Sequence, residues 1–148
     1  MTISRPLASI TAAAAQRAVA AAIARGAERG AAVVAVVVDQ AGDMVACVRA
    51  DGAFSASVDI ARDKARTAAI FRLSTDTLCA ALAHNEVLRQ GIAQRPGVIL
   101  FGGGLPITEN GQVIGAIGVS GGAEDDDRAC AAAGVAALAT ITSEGDRV

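Results

Sequence analysis

Residues 101–122, FGGGLPITENGQVIGAIGVSGG, decide the fold class. Asn110 and Gly111 form the strongest turn signal in the chain, because both central positions of a type I′ turn need positive φ, which Asn and Gly tolerate. Ile107 and Thr108 lead into that turn, and residues 112–120 leave it as a strand. Gly115 and Gly118 remove side-chain bulk from the second strand, which marks a bulge or a close backbone approach. Upstream, residues 98–101 read as a short strand ending at Gly102, Gly103 and Gly104.

Working outward, residues 33–38 are a β-branched run broken only by Ala35, residues 40–42 make a turn, and residues 44–49 form a second strand. The two pair as an antiparallel hairpin. A run apolar on both faces predicts a central strand with helices over one side and another element, such as a second subunit, over the other. Residues 9–29 read as a first helix, capped by Ser9 or Thr11 and ended by Gly30. Asp51 is expected to cap a second helix over residues 52–71, with Phe54, Val58, Ala61, Ala65, Ala68 and Ala69 as its core stripe. Ser57, Ile60, Lys64, Thr67 and Phe71 share a flank between that stripe and water. A third helix over residues 76–90 buries Leu78, Ala81, Leu82 and Leu88 and stops at Gly91. A last helix runs over residues 125–140, with a frayed tail at 143–148. The order α-β-β-α-α-β-β-β-α predicts a single α+β domain spanning residues 1–148, with a core at about 9–140 and a five-stranded, largely antiparallel sheet flanked by helices.

A chain of 148 residues suits one domain. Its apolar fraction of 53% contains no Trp or Tyr and three Phe, so Ala supplies much of it and each side chain transfers little area. Such a shallow core favours a homo-oligomer. The net charge of −2, with no basic stripe, argues against a nucleic-acid surface. No run is long and apolar enough for a membrane span, and the N-terminus lacks the Leu-rich segment of a signal peptide. Cys47, Cys79 and Cys130 are scattered and odd in number, which suits a reducing, cytoplasmic setting and no metal knuckle. Cys47 and Cys130 read as buried small hydrophobes.

Four ordered blocks, VVDQAGDMVACVRADGA, ARDKARTAAIF, GGGLPITENGQVIGAIGVSGG and DDDRACAAAG, cover nearly the whole chain. Their combination resembles the GlcG/HbpS family of small bacterial proteins, also called the heme-degrading domain family. That family is related to the carboxy-terminal domain of some corrinoid adenosyltransferases. The resemblance implies a profilin- or PAS-like layout with five strands, assembly into multimers, and heme as a possible cofactor. Some relatives sit in operons for small-molecule catabolism. Sensor-type relatives carry export signals that this sequence does not show.

Three groups of residues are candidates for binding. Gly102, Gly103 and Gly104 can aim backbone N–H groups at an anion, or can simply turn a sharp strand corner. Lys64, in its semi-apolar flank with Thr67, can act as a base or amine nucleophile, or hold a carboxylate beside Arg49 and Asp51. The bland alternative for Lys64 is a snorkelling side chain paired to Asp63 or to a neighbouring subunit. Ser120, Gly121 and the acidic run Glu124, Asp125, Asp126 and Asp127 make the third group. That run can bind a cation, face a partner's positive site, or serve as a capped first turn. His84, the sole histidine, is the candidate heme ligand. Cys79, five residues earlier, lies on a different side of the helix.

Two function classes follow. One is a cytoplasmic, oligomeric binding protein for heme or a small carboxylate, with the ligand near subunit junctions. The other is an isomerase, hydratase or hydrolase acting on a small carboxylate or carbonyl catabolite. There Lys64 moves a proton and the Gly102–Gly104 amides stabilise oxygen charge. A structural or partner-binding role without catalysis is the third possibility.

Overall fold

The computed structural model describes the backbone of residues 1–145 and the side chains of residues 1–139. Its elements are α1 (Ala12–Glu28), β1 (Val34–Asp39), β2 (Met44–Arg49), α2 (Ala56–Phe71), α3 (Thr75–Leu82), α4 (Glu86–Ala93), β3 (Gly104–Glu109), β4 (Gln112–Ser120) and α5 (Glu124–Gly145). All strand pairs are antiparallel, in the order β2-β1-β4-β3.

The sheet therefore has four strands, not five. The strand expected at residues 98–101 does not form, and the Thr67 hydroxyl on α2 holds the backbone at Gly97 and Ile99 instead. It donates to the Gly97 carbonyl at 3.1 Å and accepts from the Ile99 N–H at 3.0 Å. A backbone satisfied by a side chain has no need of a ladder partner.

β1 is central, as its sequence implied, and Val34, Ala35, Val36, Val37 and Val38 are all fully buried. Both of its faces are covered by helices of the same chain, which corrects the expectation of a foreign covering element. Val34, Val36 and Val38 pack with Ala61, Ala65, Ala68 and Ala69 of α2. Val33, Ala35 and Val37 pack with Ala15, Ala18, Val19 and Ala22 of α1 and with Cys130 and Ala131 of α5. Alanine on each helix is what allows three layers to close over a six-residue strand.

The Asn110–Gly111 turn forms with φ of 49° and 75°, and Glu109 pairs with Gln112 across it. The expected bulge falls on β4, where Ile114 is the extra residue between Val113, opposite Thr108, and Gly115, opposite Ile107. Gly118 meets the other expectation, that of close approach: a Cβ there would collide with the Ala61 carbonyl and the Ala65 N–H of α2.

Several boundaries differ from the sequence reading. Thr11, rather than Ser9, caps α1. Asp51 caps nothing: residues 50–53 form a turn, with the Ala53 N–H donating to the Ala50 carbonyl, and α2 begins after Ser55. Phe54 is consequently 71% exposed instead of in the core. The expected third helix is two helices, because Asn85 accepts from the Leu88 N–H and starts α4 afresh. Ala81 and Leu88 are exposed, and Gly91 lies inside α4 rather than ending it. Cys47 is exposed, whereas Cys130 is buried. α5 continues to Gly145; of the expected frayed tail, residues 146–148 lie outside the described residues.

Candidate functional site

Lys64 sits one turn past Ala61 on α2, where the glycine at 118 lets the helix touch β4. Its side chain is 1% exposed, so its ammonium must find acceptors inside the protein. It donates to the Val119 carbonyl of β4 and to Oδ2 of Asp127 on α5, both at 2.8 Å. The Phe101 ring lies over it, 5.0 Å from centroid to Nζ, close enough for a cation–π contact. Asp127 uses its second oxygen to accept from the Gly122 N–H at 3.1 Å. Burial pushes the Asp127 carboxyl above its ordinary value, against the opposing pull of Lys64 and the Gly122 N–H.

The glycine segment wraps this pair. Gly103 has φ of 115°, and a Cβ there would stand 2.9 Å from the Lys64 ammonium and closer still to the Val119 carbonyl. Only glycine fits. The Gly102 N–H donates to Glu124 Oε1 at 2.8 Å, and the Gly104 N–H to the buried Thr75 hydroxyl at 3.1 Å. At the expected Gly102–Gly104 segment, two backbone N–H groups are thus engaged by this chain's own Glu124 and Thr75. Above it, Arg128 of α5 forks onto Asp76 of α3 at 2.8–3.2 Å and also reaches Glu124 and Asp125. That guanidinium holds the Asp76 carboxyl below its usual range.

Of the residues singled out in sequence, the structure gathers Lys64, Gly102, Gly103 and Gly104 at this junction. Thr67, one turn further along α2, binds the 97–99 backbone. Ser120 and Gly121 follow Val119, and Gly121 turns tightly against the Ala32 carbonyl with φ of 128°. Arg49 lies elsewhere: it and Ser120 both pair with Val34 from opposite sides, two strand spacings or about 9–10 Å apart at Cα. Asp51 lines a separate hollow with Ile23, Ala27 and Gly30. His84 is exposed in the turn between α3 and α4.

Sequence reasoning missed the counter-ion. Lys64 pairs not with Asp63 but with Asp127, 63 positions away. The signal was a lysine among Ile60, Thr67 and Phe71, since an ammonium in apolar surroundings demands a carboxylate, and a four-acid run held more of them than a helix start needs. The site's chemistry follows. Its cation is neutralised by Asp127, and the Gly102 and Gly104 amides are held by Glu124 and Thr75. The open hollows lie away from it: one of about 310 Å³ is walled by Ile10, Ile107, Ile114, Val135 and Leu138, and one of about 530 Å³ by Arg5, Gln40, Arg72 and Gln112. Among the described residues no cluster of His, Cys, Asp and Glu could hold a metal ion, and no helix is long and apolar enough to cross a membrane.

A family model described as "Haem degrading protein HbpS-like" matches residues 10–136. The chain belongs to the HbpS-like family. The "Uncharacterized 15.0 kDa protein in dhaT-dhaS intergenic region" of Citrobacter freundii is 39% identical over 129 residues, covering 86% of this chain and 91% of that protein. A double mutant of Streptomyces reticuli HbpS is 34% identical, with a TM-score of 0.82 over 91% of this chain and 90% of its own. A crystallised PduOC:heme complex is 26% identical, with a TM-score of 0.79 over 87% of this chain and 94% of that one. The HbpS-like resemblance read from the four sequence blocks is thereby established, as is the relation to PduO.

Proposed function

We propose that this chain is a heme-binding protein that works as a homo-oligomer in the cytoplasm and holds its ligand on the outer surface rather than at Lys64. The observation that carries this reading is the close match of its fold to a relative solved with heme. The residues fit a surface-bound macrocycle. None of the hollows described above has a His, Cys or Met in its lining, whereas heme iron takes its axial ligand from such side chains. His84 offers an exposed imidazole, and Ala80, Ala81 and Ala83, also exposed and small, precede it in the chain. Bound heme supplies the iron chemistry; the chain's contribution is a nitrogen ligand at His84.

Heme is favoured over a small carboxylate because the Gly102 amide and Lys64 are already matched by Glu124 and Asp127. In the enzymatic alternative, Lys64 must leave Asp127 before it can move a proton. Titration with hemin tests the proposal. A saturable Soret band at one heme per chain is expected, with at least tenfold weaker binding in His84→Ala. Absence of a saturable spectrum refutes heme binding, and an unchanged affinity in His84→Ala refutes the ligand assignment.

A further inference from the structure

Four separate segments wall the hollow of about 530 Å³, a volume within the range of small-molecule sites. Arg5 comes from the stretch before α1, Gln40 from the β1–β2 turn, and Arg72 from the end of α2. Thr108 and Gln112 come from the β3–β4 hairpin. No acidic residue lines the hollow. Asp39, next to Gln40, turns its Oδ1 to the Ala41 and Asp43 N–H groups of its own turn, at 2.9 and 3.0 Å. Glu109, next to Thr108, lines the apolar hollow of Ile10 and Ile107 instead.

Arg5 and Arg72 are both exposed, and neither guanidinium has a hydrogen-bond or ion-pair partner among the described residues. One such arginine on a surface is ordinary. Two that wall one hollow without a carboxylate repel each other, and in a chain of net charge −2 this positive character is local. Arg72 also stands in a costly place. It ends α2 in the left-handed conformation, with φ of 57° and ψ of 33°, where glycine is the usual residue. The one other described non-glycine with positive φ is Asn110, a type that tolerates it in a hairpin turn. A cation gains from the helix dipole anywhere in the last turn, so the dipole does not require the strained position. The stretch that carries Arg5 is exposed at every residue from 1 to 9 and joins the body at Ile10, whose N–H donates to the Ile114 carbonyl at 2.9 Å.

We propose that this hollow binds a short organic dicarboxylate, with Arg5 gripping one carboxylate and Arg72 the other. The guanidinium fork matches a carboxylate with two parallel N–H···O bonds. Gln40, Thr108 and Gln112 bring neutral donors for the remaining oxygens, and Pro6 and Val113 bring apolar surface for the linker between them. The two charges come from different segments of the wall, which favours a ligand with two charged ends over one compact anion. Binding ties residues 1–9 to the end of α2. The site is separate from the heme surface at His84 and stands whether or not heme binds.

Isothermal titration calorimetry of the full chain at low ionic strength tests it with malonate, succinate and glutarate, and with inorganic phosphate as the compact anion. Saturable binding of at least one diacid is expected, tighter than that of phosphate. It should weaken about tenfold or more in Arg5→Gln and in Arg72→Gly, as loss of a charge-assisted hydrogen bond implies. Arg95→Gln, at an exposed arginine outside the hollow, should bind like the parent. In Arg72→Gly the melting temperature should hold or rise while binding falls, the pattern of a residue kept for its ligand. A lower melting temperature with unchanged affinity is the pattern of a helix cap and overturns the assignment. No saturable heat with any of the three diacids overturns the site, and so does an equal loss of binding in Arg95→Gln.

Discussion

Replacing Lys64 with Met removes the cation from a pair whose members are 1% and 6% exposed, leaving Asp127 and the Val119 carbonyl without their donor. Methionine matches the stem of lysine closely, so packing against Ala61 and Ala65 changes little and the loss is electrostatic. Breaking a buried pair from one side costs about 3–5 kcal/mol, because the remaining charge stays buried without compensation. For a domain of this size each kcal/mol lowers Tm by about 2–4 °C, so Lys64→Met should melt about 6–20 °C below the parent. Urea denaturation followed by circular dichroism gives the free energy directly, and the slope should stay unchanged. The double variant Lys64→Met/Asp127→Leu removes both charges and should recover most of the loss. A Lys64→Met cost below about 1 kcal/mol would refute the reasoning, since it would place the pair in the range of surface ion pairs. A double variant no better than the single would refute it equally.

Three further outcomes are expected. Gly118→Ala should destabilise by about 1–3 kcal/mol or more, because its methyl group meets helix backbone at Ala61 and Ala65 rather than a side chain that can move; an unchanged urea midpoint would contradict that contact. Thr67→Val should lose about 1–3 kcal/mol by stranding the Gly97 carbonyl and the Ile99 N–H, and faster amide exchange at Ile99 would report it. In acid, Arg128 holds the Asp76 pKa below 3.8, so the native state binds fewer protons there than the unfolded chain. That stabilisation is complete above the unfolded value and is lost as pH falls through the folded one. Asp127 has the opposite sign, favouring the fold less as pH rises from 3.8 through its raised value. Asp76→Asn should therefore flatten the decline of the urea midpoint below pH 3.8, and an unaltered slope would remove Asp76 from the account.

The parts of the fold legible in sequence are those set by local pattern. The β-branched run of β1 and the Asn110–Gly111 turn specify a central strand and a hairpin without reference to the rest of the chain. The errors arose where a distant side chain decided a local question. Residues 98–101 have strand-like composition, but Thr67 holds the backbone at Gly97 and Ile99. Asp51 is a good cap by type, yet the turn at Ala50 postpones α2 until after Ser55 and carries Phe54 to the surface. Asn85 has the cap chemistry that splits the third helix, and its signal was in the sequence to be read. At the candidate site, Lys64 and the three glycines were recognisable as unusual, but their partner was not. Asp127 shares a run with three other acids, and only the packing of α5 against β4 selects it for Lys64.

The central claim separates two places: an internal, charge-matched junction at Lys64 and an external ligand surface at His84. Hemin titration of Lys64→Met/Asp127→Leu beside His84→Ala tests that separation most directly. The account predicts parent-like heme stoichiometry and affinity in the double variant, with binding weakened at least tenfold in His84→Ala. Binding lost in the folded double variant and retained in His84→Ala would contradict it.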